Sequence, residues 1–240
     1  MTKKNKGLLI FLSIFVFLQA ALSIFLAIEQ FENWVSSDTS DWIKYVSVIC
    51  CFLVSLLSIK AKKGYFIIIG LAFTLVADYF LLILDEYYVI GISAFIITQT
   101  MYFLYIKPKH WIISLIIRFS IFGLVAALLP IVLHVMEPSA FVAAFYFINL
   151  VMNTIDAYIT KDKGLLMFAI GLTFFIGCDI FVCFYNIKDY LTITNEIVRT
   201  IMKYGLLGSW ACYIPSQTLI CISPLFKEKI NSLKVKQCGE

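Results

Sequence analysis

Charge is scarce in this chain. Of its 240 residues only 14% are Asp, Glu, Lys or Arg, whereas 62% are hydrophobic. A water-soluble domain of this size interleaves its apolar positions with polar faces, and this composition has too few polar residues to do so. Histidine occurs twice, as His110 and His134 at opposite ends of one apolar run. They are too far apart to share a metal, and the cysteines supply no zinc spacing. No phosphate loop, dinucleotide fingerprint or serine nucleophile elbow is present. No cofactor, no metal and no nucleic-acid partner are expected.

What is abundant is long apolar sequence. The mean hydropathy is +0.94, and runs of the length that crosses a bilayer as helix recur along the whole chain. Eight are read, at 7–28, 42–60, 65–84, 88–106, 110–135, 138–159, 164–186 and 205–226. The connections are short, which predicts one integral membrane domain over 1–240 with a tail at 227–240. The fold class expected is all-α, a polytopic membrane helix bundle of eight transmembrane helices. Lys3, Lys4 and Lys6 before the first run also fit a signal peptide. That run exceeds the usual apolar region and ends in no small-residue cleavage site, so it reads as a retained helix.

The few charges are distributed unevenly. The N-terminal tail, the loops at 60–63, 107–110 and 161–163 and the C-terminal tail hold 14 of the 19 basic residues. The alternate connections hold most of the acids, with only Lys188, Arg199 and Lys203 as cations. The positive-inside rule then places both termini in the cytoplasm, in a multi-pass protein of the cell membrane. The net charge of +4 reports this topology. Cys50, Cys51, Cys178, Cys183, Cys212 and Cys221 fall in spans and Cys238 in the tail, so no disulfide framework is expected.

Two of the acids lie inside apolar runs, where an ionisable group is costly and points to function. Gly70-Leu-Ala-Phe-Thr-Leu-Val-Ala-Asp78 and Gly171-Leu-Thr-Phe-Phe-Ile-Gly-Cys-Asp179 are near copies. Lys63-Gly64 and Lys163-Gly164 open the two spans, and Thr98-Gln99-Thr100 matches Ser216-Gln217-Thr218. The chain therefore reads as two four-helix halves in tandem, a parallel 4+4 repeat. Each aspartate lies six or seven residues before the outer end of its span, roughly 10 Å below the rim at about 1.5 Å per residue. Either the pair forms one site or each acid serves an interhelical hydrogen bond. Gly70 and Gly171 lie on the aspartates' faces and allow close helix approach.

Other polar residues in the spans leave two readings each. Lys44, near an outer mouth, either snorkels or meets a phosphate. Gln99 and Gln217 either donate to substrate or bind helix to helix. Tyr146, Asn149, Asn153 and Asp156 form one helical stripe that could line an inner cavity, with Asp156 near enough to the rim to be solvated. Arg118 could reach the inner headgroups.

At these residues the chain resembles the YhhN-type lysoplasmalogenase family of eight-span membrane proteins. The resemblance covers roughly 40–225 and rests on the two Gly-Leu-x6-Asp helices, on Phe95 and Tyr102 around Gln99, and on Tyr213 with Gln217. It departs from the family pattern at Ala77, Cys178, Gln99 and Tyr45, where the family has Gly, Ser, His and Pro. It implies hydrolysis of the vinyl ether bond of lysoplasmalogens to a fatty aldehyde and a glycerophospho-alcohol, with membrane lipids as surroundings. By that resemblance Asp78 and Asp179 are the catalytic pair, one acid and one base in either order, and Lys44, Gln99, Tyr102, Tyr213 and Gln217 bind substrate. Two other classes fit paired acids in lipid: a proton-coupled transporter and a non-catalytic lipid-binding protein. Proton-driven uptake into liposomes separates the first, and absence of aldehyde release the second.

Overall fold

In the computed structural model the backbone is described for residues 3–32, 34–132, 136–160, 162–187 and 205–237, and side chains over 6–29, 34–131, 136–160, 162–184 and 208–227. His134, Lys188, Asp189, Glu196, Arg199, Lys203 and Cys238 lie outside the described residues. Within them the chain is all-helical, with eight long helices: α1 Lys3–Glu32, α2 Ser37–Ser55, α3 Gly64–Asp78, α4 Tyr88–Ile106, α5 Trp111–Val132, α6 Pro138–Ile159, α7 Leu166–Ile187 and α8 Gly205–Gln237. A π-helical turn, Tyr79–Ile83, prolongs α3, and single 3-10 turns Leu56–Ser58 and Lys163–Leu165 follow α2 and precede α7.

Local chemistry sets several of these boundaries. Ser36 caps α2 by accepting from the Thr39 N–H, with Asp38 in the first turn where the helix dipole favours an acid. Pro138 opens α6 at the position where a missing N–H is harmless. Past Asp78, the Leu84 N–H bonds the Tyr79 carbonyl, five residues back. The helix therefore widens immediately after the acid, a feature often found at functional sites.

Among the described residues, seven helical segments are long and apolar enough to cross a membrane. The eighth helix, α8, is long enough but carries Ser209, Ser216, Gln217, Thr218 and Ser223, all buried against its neighbours. Its polarity faces protein. The outside of the bundle carries the opposite chemistry, with Phe11, Ile14, Phe17, Ile112, Ile116 and Phe119 among many exposed apolar side chains. This is a multi-pass membrane helix bundle.

Helix pairs α3–α4 and α7–α8 pack together, as do α2–α3 and α6–α7, and α2–α8 and α4–α6. Exchanging the first four helices with the last four turns each of these pairs into its fellow. The outer helices break that exchange, since α1 packs on α8 and α5 on α6. Polar contacts seat α1: Gln19 donates to the Ser47 carbonyl and accepts from the Ser47 hydroxyl at 2.7 Å.

One end of the bundle is basic. Lys63, in the left-handed region at φ 66°, donates to the carbonyl of Tyr105 at the end of α4. Burial, and then the ammonium groups of Lys227, Lys107 and Lys62, draws its pKa below the ordinary lysine value. Lys227 is held by Asp162 at 3.2 Å.

Close approach of α3 and α4 depends on Gly70. A Cβ there would stand 2.6 Å from Cε1 of Tyr102, whose fully buried ring is wedged edge-on against Phe168. Gly70→Ala should therefore destabilise by about 1–3 kcal/mol. Gly123→Ala, with nothing within 4 Å of the new methyl, should cost nothing. Thermal unfolding midpoints in detergent check the contrast, and equal midpoints would contradict it.

Candidate active site

α3 and α7 both run away from the basic end, so Asp78 and Asp179 approach the opposite end of the bundle on separate helices. Each carboxylate accepts from a buried phenol. The Tyr213 hydroxyl of α8 donates to Asp78, at 2.8 Å from Oδ1 and 2.7 Å from Oδ2. The Tyr146 hydroxyl of α6 donates to Asp179 Oδ2 at 2.7 Å. Asp78 is buried and Asp179 half-buried.

Aromatic rings join the two pairs. The Phe175 ring of α7 lies 5.5 Å from Tyr213 and 5.7 Å from Phe95 of α4, and Phe95 lies 5.3 Å from Tyr146. Tyr146 is also within electrostatic reach of Asp78. Two carboxylate–phenol pairs thus flank one aromatic wall, with the buried Cys178 within electrostatic reach of both acids.

Position and chemistry part company across this site. The interval of 101 residues from Asp78 to Asp179 also carries Tyr45 to Tyr146. Yet the Tyr45 hydroxyl donates to the Leu75 carbonyl at 3.3 Å, tying α2 to α3 one turn before Asp78. Likewise Phe95 precedes Gln99 as Tyr213 precedes Gln217, but a phenylalanine has no hydroxyl to give. Matching places around each acid therefore hold different donors.

Lys44 reaches the site through Trp210. Its ammonium is held by Asp41 at 2.7 Å and sits 4.8 Å over the Trp210 ring, which meets Tyr213 edge-on at 5.5 Å. Gln217 lies one turn of α8 below Tyr213, towards the basic end. Gln99 is farther round, accepting from the Asn153 amide through both its side-chain and backbone oxygens. Tyr102 stands two turns of α3 from Asp78, against Gly70 and Phe168. Among the described residues no group of three His, Cys, Asp or Glu side chains could hold a metal ion.

The stripe on α6 divides. Tyr146 belongs to the carboxylate site, whereas Asn149, Asn153 and Asp156 surround Arg118. That arginine does not reach the headgroups and Asp156 is not solvated. Arg118 is 2% exposed, its guanidinium 2.7 Å from Asp156 and bonded to Asn149 and Asn153. The reason is that each satisfies the other inside the bundle, with Ser114 donating to Asp156 at 2.6 Å. Sequence reading put Tyr146 on a stripe that could line an inner cavity but did not pair it with an aspartate, and it assigned no site role to Trp210. The signal for Tyr146 was its 101-residue match to Tyr45; Trp210 carried none.

No curated protein and no solved structure matches this chain. A model of the YhhN family matches residues 40–223, a stretch that contains both carboxylate–phenol pairs, Lys44 and both glutamines. On that match, which covers most of the sequence, the chain belongs to the YhhN family.

Proposed function

We propose that this protein is a lysoplasmalogenase-like membrane hydrolase that cleaves the vinyl ether bond of lysoplasmalogens. The observation that carries the reading is the pair of phenol-bonded aspartates on either side of one aromatic wall. Family membership supports it at the level of the reaction class.

The chemistry needs two carboxyls in opposite protonation states. One aspartic acid protonates the β-carbon of the vinyl ether: the alkene electrons form the new C–H bond, and an oxygen lone pair moves to the α-carbon to give an oxocarbenium ion. The ionised aspartate takes a proton from water as the water oxygen bonds the cationic carbon. The resulting hemiacetal collapses when the second aspartate, now protonated, gives its proton to the leaving glycerol oxygen. The first carboxylate takes the hemiacetal hydroxyl proton, so both acids return to their starting states. Glycoside hydrolysis follows the same two-carboxyl logic, and aromatic faces such as Phe175 and Phe95 favour a developing cation.

In this reading the basic end faces the cytoplasm, and the acids lie in the outer half of the membrane. Lys44 meets the lipid phosphate, and apolar side chains of the bundle take the alkenyl chain. The direct test incubates purified protein in detergent with a lysoplasmalogen and, separately, with an acyl lysophospholipid. Fatty aldehyde appears only from the first; a folded sample that yields none sinks the proposal.

Removing each phenol in turn tests which acid takes which role. A phenol donating to a carboxylate favours its ionised form, and a hydrogen bond to a charged group contributes about 1.5–3 kcal/mol. Tyr213→Phe and Tyr146→Phe should each slow aldehyde release, by roughly tenfold or more for the aspartate that works ionised. The phenol with the smaller effect marks the acid. Two variants at the wild-type rate would remove the tyrosines from the mechanism.

A further inference from the structure

Below the aspartates, one helical turn nearer the basic end, the core holds polar groups that none of the described residues satisfies. Gln217 is fully buried, and neither Nε2 nor Oε1 has a hydrogen-bond partner. The adjacent Ser216 hydroxyl and Nε2 of Gln99 are equally buried and equally unpartnered. Buried orphans of this kind are costly and rare.

The two glutamines occupy matching places. Each follows by one turn a ring that touches Phe175, Phe95 before Gln99 and Tyr213 before Gln217. Gln99 is also the end of a directed chain. Arg118 donates to Asn153 Oδ1 at 2.9 Å, and Asn153 Nδ2 donates to Gln99 Oε1 at 2.9 Å. Each bond polarises the next, so the free N–H groups of Gln99 are strengthened donors.

We propose that Gln99, Gln217 and Ser216 form a binding site for a neutral hydroxyl-bearing guest, beneath the two aspartates. The unmet groups include donors on both glutamines and an acceptor on Gln217, which an O–H group satisfies from both sides. A phosphate does not suit them, because Lys44 lies above this level with Asp41 and Trp210, and Arg118 is paired with Asp156. The guest is either water or the free glycerol hydroxyl of a lysolipid. If water, Gln217 is a positioning residue that keeps the nucleophile of the proposed hydrolysis within a membrane-buried site.

Gln217→Met and Ser216→Ala test the proposal by the sign of a stability change. If the groups are bare, removing them relieves an unpaired polar atom and raises the unfolding midpoint. If they hold a guest, each substitution strips it of a partner and lowers the midpoint, by roughly 2–4 °C. The expected result is a lower midpoint for both, either without lipid or with it, and a variant at or above wild type under both conditions overturns the site. Repeating the melts with an uncleavable alkyl-ether lysophospholipid separates the sources. A deficit already present without lipid assigns water, and one that appears only with lipid assigns the glycerol hydroxyl. In the first case Gln217→Met lowers kcat for aldehyde release about tenfold with KM unchanged; in the second, KM rises. The rate measurement alone rests on the hydrolase reading. If wild-type protein releases no aldehyde, that reading fails while the melts still decide the site.

Discussion

Replacing Asp78 or Asp179 by asparagine should reduce aldehyde release from a lysoplasmalogen by ~10²–10⁴-fold, the range general acid–base groups contribute. The substitution is nearly isosteric. Its amide oxygen can still accept from Tyr213 or Tyr146, whose hydroxyls lie 2.7 Å from the acids, so the helices need not move. What is lost is the proton, which asparagine neither delivers nor takes up. Because the two acids serve successive proton transfers of one cycle, the losses should not add. The double variant should be about as slow as the slower single one, as expected of residues that act as a unit. Unfolding midpoints near wild type would show that chemistry rather than folding was removed. Either single variant retaining the full rate would exclude a two-aspartate mechanism.

The largest effect on stability is expected at Arg118. Its guanidinium is enclosed by Asp156, Asn149, Asn153 and Ser114 and lies 4.5 Å from the Phe103 ring. It thereby ties the outlying α5 to α6 and α4. Arg118→Met leaves Asp156 as an uncompensated buried charge, which costs about 3–5 kcal/mol. At this chain length that lowers the unfolding midpoint on the order of 10 °C. The paired change Arg118→Met with Asp156→Leu should recover most of the loss, because well-packed apolar side chains commonly replace a buried ion pair without penalty. A midpoint for Arg118→Met within a degree or two of wild type would show that the network contributes little.

The same network separates what hydropathy reveals from what it hides. The expected run at 110–135 contains Arg118 and α5 covers Trp111–Val132, so the span was legible although the arginine's destination was not. Eight residues into an apolar run, an arginine can extend to headgroups or turn inwards. Only the acid and amides of α6 on its inner side decide between them. Gln217 is similar, since its place on α8 was legible but its lack of partners depends on what α1, α2, α3 and α7 bring against that helix.

The sequence by itself determined that this chain is a membrane helix bundle, and roughly where each helix runs. It also singled out Asp78 and Asp179, because an ionisable group amid apolar residues is conspicuous in any arrangement. These are local properties, set by residue type and by the fixed rise of a helix against the thickness of a bilayer. The tertiary structure alone decided that Asp78 takes its phenol from Tyr213, 135 residues away, and Asp179 from Tyr146. It also decided that Arg118 faces Asp156. Lipid and protein core are almost equally apolar, so a span carries little hydropathic sign of which side turns inwards. The rotation of each helix is set by its neighbours, and with it the partners of every polar side chain.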